Sequence, residues 1–192
     1  MRILGVDPGS RATGWAVVAF DGPPALLASG VLRPPVSLPF EKRLQTLYEG
    51  LQAVIDRERP DAAAIEKVFA GINPQSLIAL GQARGVLLLA LAGRSLAVGE
   101  LTPAEVKRAV TGAGNAEKLQ VRRMVAALLP DARRRALPLD AADAAAIALA
   151  HGYQIAIRGA RLTRPGPADQ PRDLSQHDSA DASRGWRRRP SG

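Results

Sequence analysis

The first strand pattern of this chain places the strongest constraint on its fold. Residues Ile3–Asp7 form an apolar run that ends in a carboxylate, and the turn residues Pro8 and Gly9 follow at once. A charge at the end of a buried strand is costly to desolvate unless a cation or hydrogen bonds compensate it. The pattern therefore predicts a buried strand whose terminal carboxylate faces a cation or forms the turn.

Three further acids stand in similarly apolar surroundings. Glu66 lies within Ala63–Phe69, and Asp140 and Asp143 lie within Leu137–Ala144. Asp140 and Asp143 are three residues apart at a predicted helix start, so their side chains share one face and repel one another. A divalent cation would relieve this repulsion, and Mg²⁺ prefers oxygen ligands. Two such ions about 4 Å apart can activate a water and stabilise a departing oxygen in phosphodiester hydrolysis.

Each acid taken alone has a simpler interpretation. Asp140 fits an N-cap or first-turn acid, Glu66 an outward-facing strand residue and Asp7 a turn former. Asp143 is harder to explain in this way, because the surrounding helix segment Ala141–Ile147 is otherwise apolar. The occurrence of all four acids on two strands and one helix favours a shared metal site.

Charge and composition narrow the class of protein. The chain has 192 residues, which suits one domain, and no cysteine for disulfides or thiolate chemistry. Its net charge of +8 and pI near 10.9 indicate an anionic partner such as nucleic acid, although an arginine-rich composition alone also raises the pI. The longest apolar stretch, Val86–Gly93, is shorter than the roughly 20 residues of a membrane span. We expect a cytoplasmic protein with no membrane association.

Apolar periodicity and turn residues divide the chain into strands and helices. We predict strands at residues 3–7, 13–20, 25–32, 62–68 and 95–100. We predict helices at residues 40–57, 74–93, 103–110, 116–129 and 139–157. Asn73, Thr102 and Asn115 are the predicted N-caps, and proline takes the first helical position after the first two.

The composition changes at Pro165. From there Pro, Asp, Ser, Gln and Arg dominate and apolar residues nearly vanish, which predicts a disordered tail over residues 165–192. This tail holds five Arg and four Asp, so the basic character belongs to residues 1–164, the predicted folded domain.

Six blocks of the sequence resemble the RuvC family of Holliday-junction resolvases. They run in family order as Leu4–Gly14, Ile65–Phe69, Leu80–Gly85, Val106–Gly112, Ala116–Lys118 and Asp140–Ala144. The resemblance implies an α/β, ribonuclease H-like fold with a five-stranded mixed sheet flanked by helices. It also implies an endonuclease that nicks two opposing strands of a four-way DNA junction symmetrically and leaves 5′-phosphate ends, in recombination and repair.

The resemblance assigns the metal site. It implies that Asp7, Glu66, Asp140 and Asp143 bind the metal and take part in catalysis. The expected cofactor is Mg²⁺, with two ions in each active site and Mn²⁺ as a substitute.

The resemblance also assigns DNA contacts. Lys107 and Lys118 match residues associated with DNA binding and catalysis, and a lysine near the scissile phosphate can neutralise charge as the bond breaks. Phe69 matches an aromatic residue that stacks on an unpaired base. Arg11 and Arg84 complete the predicted contacts. From the residues alone, each lysine also fits a solvated helix face, and Phe69 also fits the core.

The expected partners follow from the junction. A junction has two-fold symmetry in the strands to be cut, so one active site per chain calls for a homodimer. The helix Asn73–Leu91 is a candidate interface, although a core role fits it equally well. The resemblance further implies the branch-migration proteins RuvA and RuvB as partners.

Three other functions fit parts of the sequence. A Gly-x-Asp-x-Gly-Ser opening also occurs in the actin and sugar-kinase superfamily, but that reading requires a second similar domain, and the chain has no repeat. A catalytically inactive junction-binding protein is not supported, because all four acids are present. A ribonuclease H-like enzyme acting on RNA–DNA hybrids or other branched DNA is a closer alternative, against which the Lys107 and Lys118 blocks argue.

Overall fold

Five strands form one mixed sheet in the computed structural model, which describes residues 1–67 and 73–162 and the side chains of the last helix through residue 158. The strands are β1 (Arg2–Asp7), β2 (Thr13–Ala19), β3 (Ala25–Leu32), β4 (Ala62–Glu66) and β5 (Ala97–Leu101). Their order across the sheet is β3-β2-β1-β4-β5. β1 and β3 pair antiparallel with β2, whereas β4 pairs parallel with β1 and β5. The predicted five-stranded mixed sheet is confirmed.

Local capping bonds set the starts of two helices where the sequence places them. The helices are α1 (Phe40–Glu58), α2 (Pro74–Ala92), α3 (Pro103–Thr111), α4 (Lys118–Leu128), α5 (Pro130–Arg134) and α6 (Leu139–Leu162). The side chain of Asn73 accepts a hydrogen bond from the backbone N–H of Gln75 at the start of α2. Thr102 and Glu105 form both bonds of a capping box at the start of α3.

The region before α6 differs from the prediction. The predicted N-cap Asn115 is wrong, because α4 begins at Lys118 after Glu117 and has no side-chain cap bond. Ala116 is instead buried in the core. The short helix α5 begins at Pro130 and was not predicted, since proline ends one helix but can open another.

Three other boundaries shift by two residues or more. β5 begins at Ala97 rather than Ser95, because Ser95 has a φ of 56°, which belongs to a turn and not to a strand. β4 ends at Glu66, and α6 runs on to Leu162 rather than ending near Ile157. The last residue of the predicted fourth strand, Val68, lies outside the described residues, as does the predicted tail.

The alternation of side chains along the strands separates two cores. Ile3 of β1 packs in a cluster with α6, whereas Leu4 packs in a cluster with α1 and α2. In β4, Ala62 and Ala64 join the α6 cluster and Ala63 joins the other. The α6 cluster is rich in alanine, and the α1–α2 cluster includes the leucines Leu47, Leu51, Leu87 and Leu91.

Two glycines allow α6 to lie directly on the sheet. A Cβ atom at Gly5 would overlap the carbonyl oxygen of Ala144, and one at Gly14 would overlap the carbonyl oxygen of Asp140. Only glycine permits this approach of two backbones. The first turns of α6 are therefore fixed against the ends of β1 and β2.

The helix α2 is long and apolar enough to cross a membrane by length and composition alone. This is weak evidence, since core helices of soluble proteins pass the same test. The uninterrupted apolar run Val86–Gly93 is shorter than α2, because Arg84, the one charged residue of this helix, lies before it. The buried side of α2 packs in the α1–α2 cluster, while Ile78 and Leu89 are exposed.

Candidate active site

Two carboxylates meet at one edge of the sheet because β1 and β4 run parallel. Asp7 ends β1 and Glu66 ends β4, and the register pairs the preceding residues Val6 and Ile65. The alternation that turns Ile3 and Ala64 toward α6 also turns Asp7 and Glu66 to that face. The sequence therefore places two acids side by side beneath a helix.

The third acid comes from α6. Asp143 lies one turn after the point where α6 contacts Gly14, and it lines a cavity of about 240 Å³ together with Asp7 and Glu66. Lys107 of α3 and Lys118 of α4 line the same cavity. The remaining lining residues are Pro103, Val106, Val121 and Ala146. Three predicted acids and both predicted lysines thus share one site.

Burial and mutual repulsion raise the pKa values of Asp7 and Glu66 in this cavity. Burial, followed by the charges of Glu66 and Asp143, raises the pKa of Asp7 to about 7, while Lys118 acts in the opposite direction. Burial and then Asp143 raise the pKa of Glu66, against Lys118 and Lys107. The carboxylates are thus unfavourably placed as anions, and a cation among them would lower their energy.

Asp140 is placed differently from the other three acids. It lies in the first turn of α6 but does not line the cavity. Its Oδ2 atom lies 3.3 Å from a guanidinium nitrogen of Arg33. The charge of Asp140 still adds to the raised pKa of Asp7. Asp140 therefore acts on the cavity electrostatically, and its role as a metal ligand stays a prediction.

The carboxylates of Asp7, Glu66 and Asp143 are suitable ligands for a divalent cation, although they do not surround one point. Carboxylate oxygens are the ligands that Mg²⁺ prefers. Within residues 1–67 and 73–158, no three acidic or histidine side chains stand close enough together to hold one ion. Ion pairs occupy Asp143 instead, since Lys118 and Arg122 each place a nitrogen 3.5 Å from its Oδ2 atom. Asp143 and Asp140 are thus both held by cationic side chains.

The sequence pattern did not single out Arg33 or Arg122. Arg122 follows Lys118 by one helical turn on α4, so helical periodicity could have placed both cations beside the same acid. Arg33 precedes Asp140 by 107 residues, and no local pattern connects the two.

Arg11 and Arg84 do not line the cavity. Arg11 lines a separate groove with Phe40, Arg43 and the start of α2. The side chain of Arg84 is only 16% exposed and contacts the backbone of Glu66. Phe69 lies outside the described residues.

A five-stranded mixed sheet, with acids at the ends of two neighbouring parallel strands and a third acid on the helix above them, defines a ribonuclease H-like nuclease. The family model described as "Crossover junction endodeoxyribonuclease RuvC" matches residues 3–151. The chain belongs to the RuvC family of crossover junction endodeoxyribonucleases.

Relatives named as members of this family cover most of the chain. The protein of Azorhizobium caulinodans is 46% identical over 154 residues, which are 80% of this chain and 90% of the relative. The protein of Chloroflexus aurantiacus (strain J-10-fl) is 47% identical, with 80% and 93% covered.

Solved structures show the same fold. The RuvC of T. thermophilus, in complex with a Holliday junction substrate, has a TM-score of 0.74 and 31% identity, covering 82% of this chain and 96% of that one. The yeast mitochondrial Holliday junction resolvase Ydc2 has a TM-score of 0.61 at 13% identity, so its likeness concerns the fold alone. The predicted ribonuclease H-like fold is confirmed.

Proposed function

We propose that this protein resolves four-way DNA junctions in recombination and repair, by nicking two opposing strands symmetrically and leaving 5′-phosphate ends. One observation carries the proposal: Asp7, Glu66 and Asp143 share a cavity with Lys107 and Lys118. The similarity to crossover junction endodeoxyribonucleases over residues 3–151 supports it. A related structure that holds a Holliday junction substrate supports the choice of DNA.

Nucleases of this family are metal-dependent, and we propose Mg²⁺ as the metal, with two ions in each site and Mn²⁺ as a substitute. Asp7, Glu66, Asp140 and Asp143 are the proposed ligands. The bound metal supplies an activated water and stabilises the departing oxygen. Because its pKa is raised to about 7, a proton would compete with the metal for the carboxylate of Asp7 near neutral pH.

The proposed role of Lys107 and Lys118 is to act on the phosphate group of the DNA. Lys107 and Lys118 bring positive charge to the cavity, which attracts the DNA backbone and stabilises the charge that develops as the bond breaks. Arg11 is proposed to contact DNA in the neighbouring groove, where Arg43 adds a second positive charge. Phe69 is proposed, from the family resemblance, to stack on a junction base.

Symmetric nicking requires two copies of the chain, because the junction has two-fold symmetry. We place the dimer interface on the outer face of α2, where Ile78 and Leu89 are exposed. An apolar groove lies beside it between α1 and α2 and is lined by Leu44, Tyr48 and Leu89 among others. A second copy would cover this apolar surface.

The remaining parts of the proposal follow from the DNA substrate and the family. We propose RuvA and RuvB as partners and a cytoplasmic location, with no role for a membrane. Residues 1–164 are the proposed nuclease domain, and residues 165–192 are a proposed disordered tail.

The test compares two DNA substrates. The purified protein is incubated with a fixed four-way junction and with a linear duplex of the same sequence, in Mg²⁺ or in EDTA. We expect paired nicks in the junction only, and only with metal. Asp7→Asn should bind the junction without cutting it, whereas Asp21→Asn, the same change at an exposed turn, should cut normally. Equal cutting of the linear duplex, or full activity in EDTA, would contradict the proposal.

A further inference from the structure

We propose that Arg84 is a positioning residue, which holds the end of strand β4 so that Glu66 is correctly placed for the metal, and that it does not contact DNA. The inference rests on the proposed metal-dependent function. It differs from the role that the sequence resemblance suggests for Arg84. The grounds are the contacts of its guanidinium group, its burial and its position relative to the acids.

The guanidinium of Arg84 joins one helix to two strands. Its Nε donates a hydrogen bond of 2.9 Å to the backbone carbonyl of Glu66. A terminal guanidinium nitrogen contacts the carboxylate of Glu100 in β5. Arg84 itself lies in α2. The single side chain thus connects α2, the last residue of β4 and the neighbouring strand β5.

The bond to Glu66 falls where the strand ladder ends. The pairing of β4 with β1 extends from Ala62 to Ile65 and includes no partner for Glu66. On the β5 side, the N–H of Lys67 donates to the carbonyl of Leu101 at 2.8 Å. The Glu66 carbonyl takes its hydrogen bond from Arg84 instead. Arg84 therefore contacts the backbone of the residue that carries the carboxylate, where the pairing with β1 has ended and only Leu101 of β5 pairs with it.

The position of this backbone matters for metal binding. A ligand must be held within roughly 0.5 Å of its productive position by groups around it. Residues that orient ligands in this way typically change metal affinity by 10–100-fold when they are replaced. Glu66 is the last residue of its strand and pairs with Leu101 of β5 on one side only, so Arg84 holds its backbone where the pairing with β1 has ended.

The contacts of Arg84 leave it poorly suited to DNA. Its side chain is only 16% exposed, and its charge is paired with Glu100. It lines neither the acidic cavity nor the groove that contains Arg11. A phosphate-binding arginine instead directs its donors toward solvent, where the backbone of DNA can reach them.

The chain offers a matched control just beyond the C-terminal end of α2. Arg94 follows this helix and pairs with Asp56 through two hydrogen bonds of 2.7 and 2.6 Å. Its side chain is 37% exposed, and Asp56 belongs to α1 rather than to the strands that carry the acids. Arg94→Gln removes an arginine–carboxylate pair without touching Glu66.

The test measures metal and DNA binding separately on the full-length protein. Mn²⁺ binding is followed by the electron paramagnetic resonance signal of free Mn²⁺, and junction binding by gel mobility in EDTA. We expect Arg84→Gln to raise the Kd for Mn²⁺ about tenfold and to leave junction binding unchanged. Arg84→Lys keeps one donor group and should give a smaller rise. Arg94→Gln should change neither value.

Two results would overturn the inference. One is an unchanged Mn²⁺ affinity in Arg84→Gln, and the other is a loss of junction binding in EDTA. If Arg84→Gln does not fold, Glu100→Gln serves instead, because it removes one exposed contact of Arg84 and should weaken Mn²⁺ binding several-fold; an unchanged Kd there also overturns the inference.

Failure of the proposed function gives a different result. In that case the wild type would bind Mn²⁺ in an Asp7-dependent manner but would not nick the junction, while the effect of Arg84→Gln on metal binding would persist.

Discussion

On the α6 face of the sheet, glycine and alanine bring two backbones into contact, whereas on the α1–α2 face leucine side chains make the contact. Gly5 and Gly14 leave no room for a side chain beneath α6. On the other side of the molecule, α2 turns exposed apolar residues outward, and a Cβ atom at Gly81 or Gly85 would meet nothing within 4 Å.

The two faces differ in how rigidly they hold the residues that lie on them. A backbone-to-backbone contact has no rotamers to adjust, so it fixes Asp143 over Asp7 and Glu66 closely. Contacts between leucine side chains tolerate repacking much better. The α6 face therefore suits a site whose geometry must be held, and the outer face of α2 suits the proposed dimer interface.

The largest effect is expected where the backbones touch. In Gly14→Ala, the new Cβ overlaps the carbonyl oxygen of Asp140, and α6 must move. We expect the free energy of unfolding in urea to fall by about 3 kcal/mol, together with the loss of Mn²⁺ binding. Gly22→Ala, where a Cβ meets nothing within 4 Å, is the control. If Gly14→Ala is as stable as the wild type, the α6 face is not packed more tightly than the α1–α2 face.

A charge on the outer face of α2 should act on assembly and leave the chemistry intact. In Leu89→Asp, a carboxylate replaces an exposed apolar side chain at the proposed dimer interface. We expect light scattering to give half the wild-type mass and Mn²⁺ binding to be retained. The control is Val36→Asp, at an exposed position between β3 and α1. A dimer that survives Leu89→Asp would place the interface elsewhere.

The pH dependence of stability should report the cost of burying a charged Asp7 at the α6 face. Asp7 has a pKa of about 7 in the folded protein, against an ordinary value of 3.8. Between these values the folded protein binds more protons than the unfolded chain, so stability falls as the pH rises. The slope from this residue is at most about 1.4 kcal/mol per pH unit.

Urea unfolding in EDTA at pH 4.5 and pH 7.5 measures this slope. We expect Asp7→Asn to be more stable than the wild type at pH 7.5, because the amide carries no charge to bury. Added Mg²⁺ should stabilise the wild type at this pH and leave Asp7→Asn nearly unaffected. Equal pH dependence in the two proteins would show that the pKa of Asp7 is not raised in the folded protein.

The smallest effect is expected from a glycine-to-alanine change in α2. Gly85 lies within the helix, and a Cβ there meets nothing within 4 Å. In the monomeric Leu89→Asp background, Gly85→Ala should raise the free energy of unfolding by about 0.5–1 kcal/mol. A decrease would show that this face is already packed within the monomer, unlike the structure described above.

Features that depend on neighbouring residues were predictable from the sequence. The Asn73 and Thr102 caps involve partners two and three residues away. The placement of Asp7 and Glu66 also follows from strand alternation and parallel pairing. Asn115 failed as a cap because α4 begins only at Lys118, while Ala116 is buried in the core, and burial depends on residues far away in the chain.

In the site, too, some contacts were predictable from the sequence and others were not. Lys107, Lys118 and the acids of β1 and β4 meet as expected. The pairing of Asp140 with Arg33 and the inward direction of Arg84 were not predictable, because they depend on how whole helices lie against the sheet. Helical periodicity defines a face but not its partner.

The central position of β1 has a consequence for how the nuclease loses its structure. β1 pairs with β2 along all of its residues and with β4 from Ile3 to Val6, so it cannot detach in the way that an edge strand can. Its amide hydrogens should exchange with solvent only when the whole sheet opens. Local fraying at the termini or in surface loops therefore leaves Asp7 in place. We expect cutting to stop in a single step on unfolding, without a half-open form that cuts DNA indiscriminately.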